Sequence, residues 1–296
     1  MFRKWAAKQA YRIRREDGVA LIVVLGFLAV MSLIAMGIVG AARNTALSAS
    51  RELVRAQAQA AIESAIDYAI GELVSAKGLV PPLVVAPQTI EVGGFRVSVS
   101  ARSENTKVDL NYSAANLLAI LFQAGGAEPS RAAALAAAVE DWRDSDELVH
   151  LNGAERRQYE EAGLAYGPAN KFFTSSDELR LVLGVGATLY DCVRPQVTVL
   201  SQRQGIEIDF AAPAIRHAAG ATVMKNPAEQ TVVPGQAFEI TARLDDAKQG
   251  VKRAERAVVR LTGNPADPYW ILSTEPAHPI DEAAARSCPT LMSAAR

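Results

Sequence analysis

Apolar positions along this 296-residue chain follow three regimes. The first is an unbroken run. Val19–Ala42 holds 24 residues without a charge. About 20 apolar residues cross a bilayer as a helix, whereas a cleaved secretory signal has an apolar core of roughly 7–15. The second regime has a helical period. Leu47, Val54, Ala58, Ile62, Ile66, Ile70 and Leu73 recur within Ala46–Val74 at steps of three, four and seven, which marks one stripe of an α-helix. No proline or turn cluster separates this stretch from the apolar run. One long helix is therefore predicted, apolar all round in its first half and amphipathic in its second.

The third regime is alternation. After a proline-rich connector (Lys77–Gln88), Ile90 and Val92, then Phe95, Val97 and Val99, alternate on either side of Gly93–Gly94. That pattern predicts a hairpin over Thr89–Arg102. Helical spacing returns over 113–126 with Ser113 as cap, over 128–147 starting near Ser130, and over 152–163. Thr174–Leu200 opens with Ser175 or Ser176 as cap and contains an LGVG turn at Leu183–Gly186. Alternation resumes at Phe238, Ile240, Ala242 and Leu244, followed by AERAVVRLTG and DPYWILST. Strands thus flank a long, mostly helical segment. The simplest fold is α+β: a long N-terminal transmembrane and amphipathic helix packed on an antiparallel sheet, with a large all-α insertion between strands. The boundaries read as 1–18 leader, 19–42 transmembrane helix, 43–102 helix and hairpin, 103–200 helical insertion, and 201–296 the rest of the insertion with the C-terminal sheet.

Charge refines this picture. Arg3, Lys4, Lys8, Arg12, Arg14 and Arg15 precede the apolar run, against Glu16 and Asp17. That excess holds the N-terminus in the cytoplasm and sends the rest outward. The formal net charge of −1 offers no basic field for nucleic acid, and the LGVG turn lacks flanking lysines, so it reads as packing. Cys192 and Cys288 stand alone. An exported chain allows a disulfide between them, and two separate thiols are the alternative. Asp141, Asp144, Asp146 and Glu147, with Glu155 close in sequence, offer hard oxygen ligands of the kind calcium takes. Their spacing is not that of an EF-hand, and a solvated turn paired with Arg143, Arg156 and Arg157 is the competing reading. Asp109 and Asn111, near Lys107, read as turn residues bonding backbone amides where sheet meets insertion. Trp142 and Tyr159 read as core. The three histidines, His150, His217 and His278, are scattered, and no nucleophile elbow, zinc-protease or phosphate-loop motif occurs. No catalytic residue is assigned, and a membrane-anchored periplasmic hydrolase remains as an alternative.

A basic leader, Gly18, an apolar stretch and a continuous helix resemble the type IV pilin class, in which a prepilin peptidase cuts on the cytoplasmic side. Here the cut falls between Gly18 and Val19. An ordinary single-pass anchor fits the same leader. Most members of the class carry Glu at mature position five, where this chain has Val23. Within the class, that absence is typical of the K-type minor pseudopilin (GspK family) of type II secretion. "SENTKVDLNYSAANLLAILFQAGG" resembles the Glu-x-Gly-Lys-Ile-Asp-Leu-Asn segment and following helix of that family. The Asp-Trp-Arg-Asp-x-Asp run at Asp141–Asp146, the Gly-Ala-Glu-x-x-x-Tyr step at Gly153–Tyr159, the Pro-x-Asn-x-x-Phe segment at Pro168–Phe173 and the Glu-Leu-x-x-Val-x-Gly turn at Glu178–Gly184 follow in the family's order. Two departures stand out: Thr106 replaces a usual Gly, and the region after Leu200 is shortened. The resemblance implies a pilin-like fold and a calcium-binding helical domain holding Asp141, Asp144 and Asp146. It also implies prepilin processing with methylation, and a place in the inner membrane with the C-terminal domain in the periplasm. The implied role is to cap and nucleate the pseudopilus with I-type and J-type minor pseudopilins, on the inner-membrane assembly platform. A minor pilin of a type IV pilus or a tight-adherence system is the neighbouring alternative.

Overall fold

The computed structural model describes residues 17–219, 231–277 and Cys288. Two compact units divide at Ala56/Gln57. Helix α1 is continuous over Asp17–Ser75. In the first unit its described side chains are exposed, apart from half-buried Val54. This is one helix long and apolar enough to cross a membrane, with a mean hydropathy of 2.9 in its most apolar window. Residues 1–16, which carry the basic leader charges, lie outside the described residues.

In the second unit the last turns of α1 bury Ala58, Ala61, Ile62, Ala65, Ile66, Ala69, Ile70 and Leu73. Small and branched residues share this buried stripe. Ala69 falls inside this stripe rather than on another side of the helix. It lies four residues after Ala65 and four before Leu73, on the same face, and is buried. The Gln59 side chain donates to Glu255 Oε2 at 2.9 Å, joining helix to sheet.

A short helix, α2 (Pro82–Val85), leads into the sheet. Its strands are β1 (Gln88–Val92), β2 (Phe95–Ser103), β5 (Ala237–Asp246), β6 (Val251–Leu261) and β7 (Tyr269–Pro276). They pair antiparallel in the order β1-β2-β5-β6-β7. Gly93 and Gly94 close the hairpin with φ +58° and +83°, the left-handed pair a two-residue turn demands. Val97, Val99 and Ala101 of β2 face Leu244, Ala242 and Ile240 of β5. All six are buried, as alternation predicts.

Chain between β2 and β5 forms the insertion. Its described elements are β3 (Val108–Asp109), α3 (Ala115–Ala124), α4 (Pro129–Arg143), α5 (Arg156–Glu161), α6 (Ala187–Val193), β4 (Val197–Thr198) and α7 (Pro213–Ala219), with β3 and β4 in parallel. They enclose their own core around Leu118, Phe122, Leu135, Trp142, Tyr159 and Ile215. Three local expectations change. Ser113 does not cap α3; Ala114 holds the cap position without a side-chain bond. Helix α4 ends at Arg143 rather than near Glu147, because Asp144 turns extended (ψ 174°). Between Thr174 and the LGVG turn the chain is 3₁₀ over Ser176–Leu181, with Ser175 in a capping box.

Candidate functional site

Where the insertion leaves and rejoins the sheet, polar side chains bind the two together. Ser103 Oγ accepts from Asn105 N and from Gln236 Nε2, at the two ends of the insertion. Arg102 donates to Pro195 O, to Gln196 Oε1 and to Thr106 Oγ1. Thr106, at the place of the family glycine, donates to Ser103 O and lies in a 3₁₀ turn, so its side chain takes part in the junction. Lys107 is buried between Glu104 Oε1 at 2.7 Å and Glu239 Oε2 at 2.8 Å. Burial would lower the Lys107 pKa, but the two carboxylates raise it. Burial would likewise push Glu239 up; Lys107, with Arg256 and Arg102, holds it at about 2. Asp109 accepts from the amides of Asn111, Tyr112 and Gln202, and Asn111 exchanges two bonds with the Phe173 backbone. These are the turn roles the sequence assigns. A cleft of about 460 Å³ beside this junction is lined by Arg102, Lys107, Arg194, Glu239 and Glu275 among others.

The acidic run follows α4. Asp141 is fully buried and its oxygens are engaged. Oδ1 accepts from His150 N and meets the His150 ring, and Oδ2 accepts from Ala154 N. A Cβ on Gly153 would overlap Asp141 Oδ2, so this latch needs glycine there. Asp141, Asp144 and His150 do bring three ligand-type atoms within 4.8 Å of one another. The bonds around Asp141 nevertheless mark it as the residue that pins the loop. Open acceptors lie beside it: Asp144 Oδ1, both Glu155 oxygens and Asn170 Oδ1 are buried without a hydrogen-bond partner. Asn170 Nδ2 meanwhile donates to Asp146 O and Glu147 Oε1, tying the segments together. Burial, then the charges of Asp141, Asp144, Glu147 and Asp146, push the Glu155 carboxyl up to about 7. Burial with Asp146 and Asp141 raises Asp144, and the bond to Asp141 raises His150.

Buried, unpartnered carboxylate and amide oxygens facing mutual repulsion fit a hard divalent cation. The arginine-paired alternative is not what forms. Arg143 turns inward to Leu110 O and Ser113 O, and Arg157 pairs with Glu161. Asp146 accepts from Leu148 N in an exposed turn. Of the residues the sequence puts forward, the structure brings Asp141 and Asp144 together with His150 and leaves Asp146 in the exposed turn; Glu155 and Asn170 add open oxygens that neither spacing nor charge density singles out.

Val19 and Val23 lie exposed on α1, and Gly18 is helical. Cys192 of α6 and Cys288 form a disulfide, which settles the two readings of the cysteines. Trp142 and Tyr159 are core, with Leu183 N donating to Tyr159 Oη.

Residues 98–202 match the family described as type II secretion system (T2SS), protein K. Among curated proteins, the type II secretion system protein K of Pectobacterium carotovorum subsp. carotovorum is 31% identical over 63% of this chain and 63% of that protein. The protein of that name from Klebsiella pneumoniae is 34% identical over 35% of this chain and 32% of its own length. The Aeromonas hydrophila protein is 43% identical over 25% of this chain and 22% of its own length. The chain thus aligns with less than two thirds of the length of these relatives. A chain of the crystal structure of the GspK-GspI-GspJ complex from enterotoxigenic Escherichia coli is similar in fold. It has a TM-score of 0.54 at 17% identity, over 76% of this chain and 99% of that one.

Proposed function

We propose, from its similarity to type II secretion system protein K over the helical body, that this chain is a K-type minor pseudopilin that caps the tip of a periplasmic pseudopilus and nucleates its assembly. The observation that carries this reading is the coincidence of the family match, residues 98–202, with the helical body set between β2 and β5. A pilin-like subunit with such a body on its sheet leaves little room for another subunit to stack above it. On this reading prepilin peptidase cuts between Gly18 and Val19. Val19–Ala42 stays in the inner membrane on the assembly platform, and the remainder lies in the periplasm. Val23, without charge at mature position five, gives no carboxylate to pair with a neighbour's N-terminal amine. The role is structural, with no catalytic step, and calcium held by Asp144, Glu155 and Asn170 beside Asp146 would brace the helical body.

Partners on this reading are I-type and J-type minor pseudopilins, the types named with a K-type subunit in the Escherichia coli complex. A fragment of residues 44–296 keeps the whole compact unit that starts at Gln57. Mixed with the soluble parts of those two subunits, it should elute as a 1:1:1 complex by size-exclusion chromatography with light scattering. Arg at the exposed positions Ala56 and Ala60 should weaken that complex without lowering the fragment's own melting temperature. A fragment that stays monomeric with both partners overturns the proposal.

A further inference from the structure

The loop after α4 displays aliphatic side chains that a relaxed surface loop would turn inward. Leu148 is 77% exposed, Val149 46% and Leu151 89%. They are held there by the backbone. Leu148 N donates to Asp146 Oδ1, His150 N and Ala154 N donate to the buried Asp141, and Gly153 N donates to His150 O. Asn152 takes a left-handed φ of +64°, a conformation that asparagine tolerates better than most residues with a side chain and that turns the chain sharply here. On the opposite segment Asn170 fixes Asp146 and Glu147. Two residues on, Phe172 is 52% exposed and packs on Tyr112 with ring centroids 5.4 Å apart. A buried carboxylate, an obligate glycine and a left-handed asparagine thus fix a loop whose outward positions are apolar. Apolar surface presented in this way marks an interaction site.

Charge says what kind. Residues 140–161 hold eight carboxylates, of which Asp141 and Glu155 are buried; the other six (Glu140, Asp144, Asp146, Glu147, Glu160, Glu161) outnumber the three arginines (Arg143, Arg156, Arg157). One of those arginines, Arg143, is turned inward. A single bound divalent cation would leave the region acidic. An anionic lipid surface is repelled by such a rim. A protein groove that is apolar at its centre and lined with Lys and Arg complements it. We infer that Leu148, Val149 and Leu151 form a docking knob for an apolar groove with a basic rim on a partner protein. This holds whether or not the chain caps a pseudopilus.

The test uses the full chain in phosphatidylcholine nanodiscs and two labelled amphipathic peptides. Both carry a leucine face, one flanked by lysines and the other by glutamates. Fluorescence anisotropy should show the lysine peptide binding the wild-type chain at least tenfold more tightly than the Leu148→Ser/Leu151→Ser variant in identical discs. Binding should weaken as salt rises from 0.15 to 0.5 M, and the glutamate peptide should show no such difference. Both positions are exposed, so the variant's melting temperature should match the wild type. Equal lysine-peptide binding by the two chains overturns the inference. So does a difference that is the same for both peptides. Loop-dependent binding to added phosphatidylglycerol vesicles, lost in the variant, would replace the protein partner with a membrane.

Discussion

Replacing Lys107 with methionine keeps the length of the buried stem and removes its charge. The structure gives the expected size of the effect. Lys107 bridges Glu104, 2% exposed, and Glu239 on β5 at 2.7 and 2.8 Å. Glu239 has a pKa of about 2 in place of 4.5, and at 1.36 kcal/mol per unit this linkage is worth about 3 kcal/mol. Lys107 is the largest favourable contributor, with Arg256 at 3.5 Å and Arg102 adding to it. Removing one member of a buried ion pair typically costs about 3–5 kcal/mol, so the two routes agree on about 3 kcal/mol. For a fragment of this size each kcal/mol moves the melting temperature by about 2–4 °C. Lys107→Met should therefore melt about 6–12 °C lower at pH 7. The sign with pH follows from the depressed carboxyl. Its contribution is complete above the unfolded value of 4.5 and disappears as pH falls toward 2. In urea titrations of residues 44–296 the gap between wild type and variant should accordingly shrink to less than half its pH 7 size by pH 3 and go on closing toward pH 2. Adding Glu104→Gln to the variant should recover part of the loss, since the stranded charge is gone. A loss below 1 kcal/mol at pH 7, or an equal loss at pH 7 and pH 3, would refute this account of the junction.

Three other outcomes are expected. N-terminal sequencing of the mature chain should begin at Val19, and Gly18→Leu should leave the precursor uncut; a start at Met1 or near Ala42 contradicts the cut. Calcium should raise the melting temperature of the fragment by favouring the native state that binds it. Glu155→Gln should erase that shift, while Asp141→Asn should lower the melting temperature even without calcium; an identical calcium response in wild type and Glu155→Gln counts against the site. Cys192 and Cys288 are 96 residues apart, and closing a loop of that size stabilises by about 4.7 kcal/mol on the chain-entropy model. Paired Cys192→Ala/Cys288→Ala substitution should then lower the denaturant midpoint, and equal midpoints would show that the cross-link carries no stability.

Much of the architecture can be read from local spacing. The stripe from Ala58 to Leu73 and the alternation from Phe238 to Leu244 each declare a period within one element, so their buried faces follow directly. What could not be read depends on partners far along the chain. Lys107 meets Glu239 across 132 positions, and the Ser103–Gln236 bond spans 133. Asp141 looks like a metal ligand in a row of acids. It becomes a latch because His150 and Ala154 return their amides to it. Glu155 reads as one more surface acid until the cap of α5 buries it, and Asn170 carries no sequence signal for an open oxygen. Ser113 has the right residue type for a cap, but its own carbonyl is held by Arg143, and α3 starts beyond it.

The direct pairing of β2 with β5 has a kinetic consequence. Val97 meets Leu244 only after the whole intervening segment has been gathered. Contacts so distant in sequence slow folding, because the loop must close before the pairing rewards it. A helical body with its own core shortens that search, since it gathers residues 108–215 of the intervening segment before the strands pair. Sheet assembly should then wait on the helices. A lesion deep in the helical core, such as Phe122→Ala, should slow the zippering of strands it never touches, while a lesion at the β1–β2 turn should leave that rate nearly unchanged.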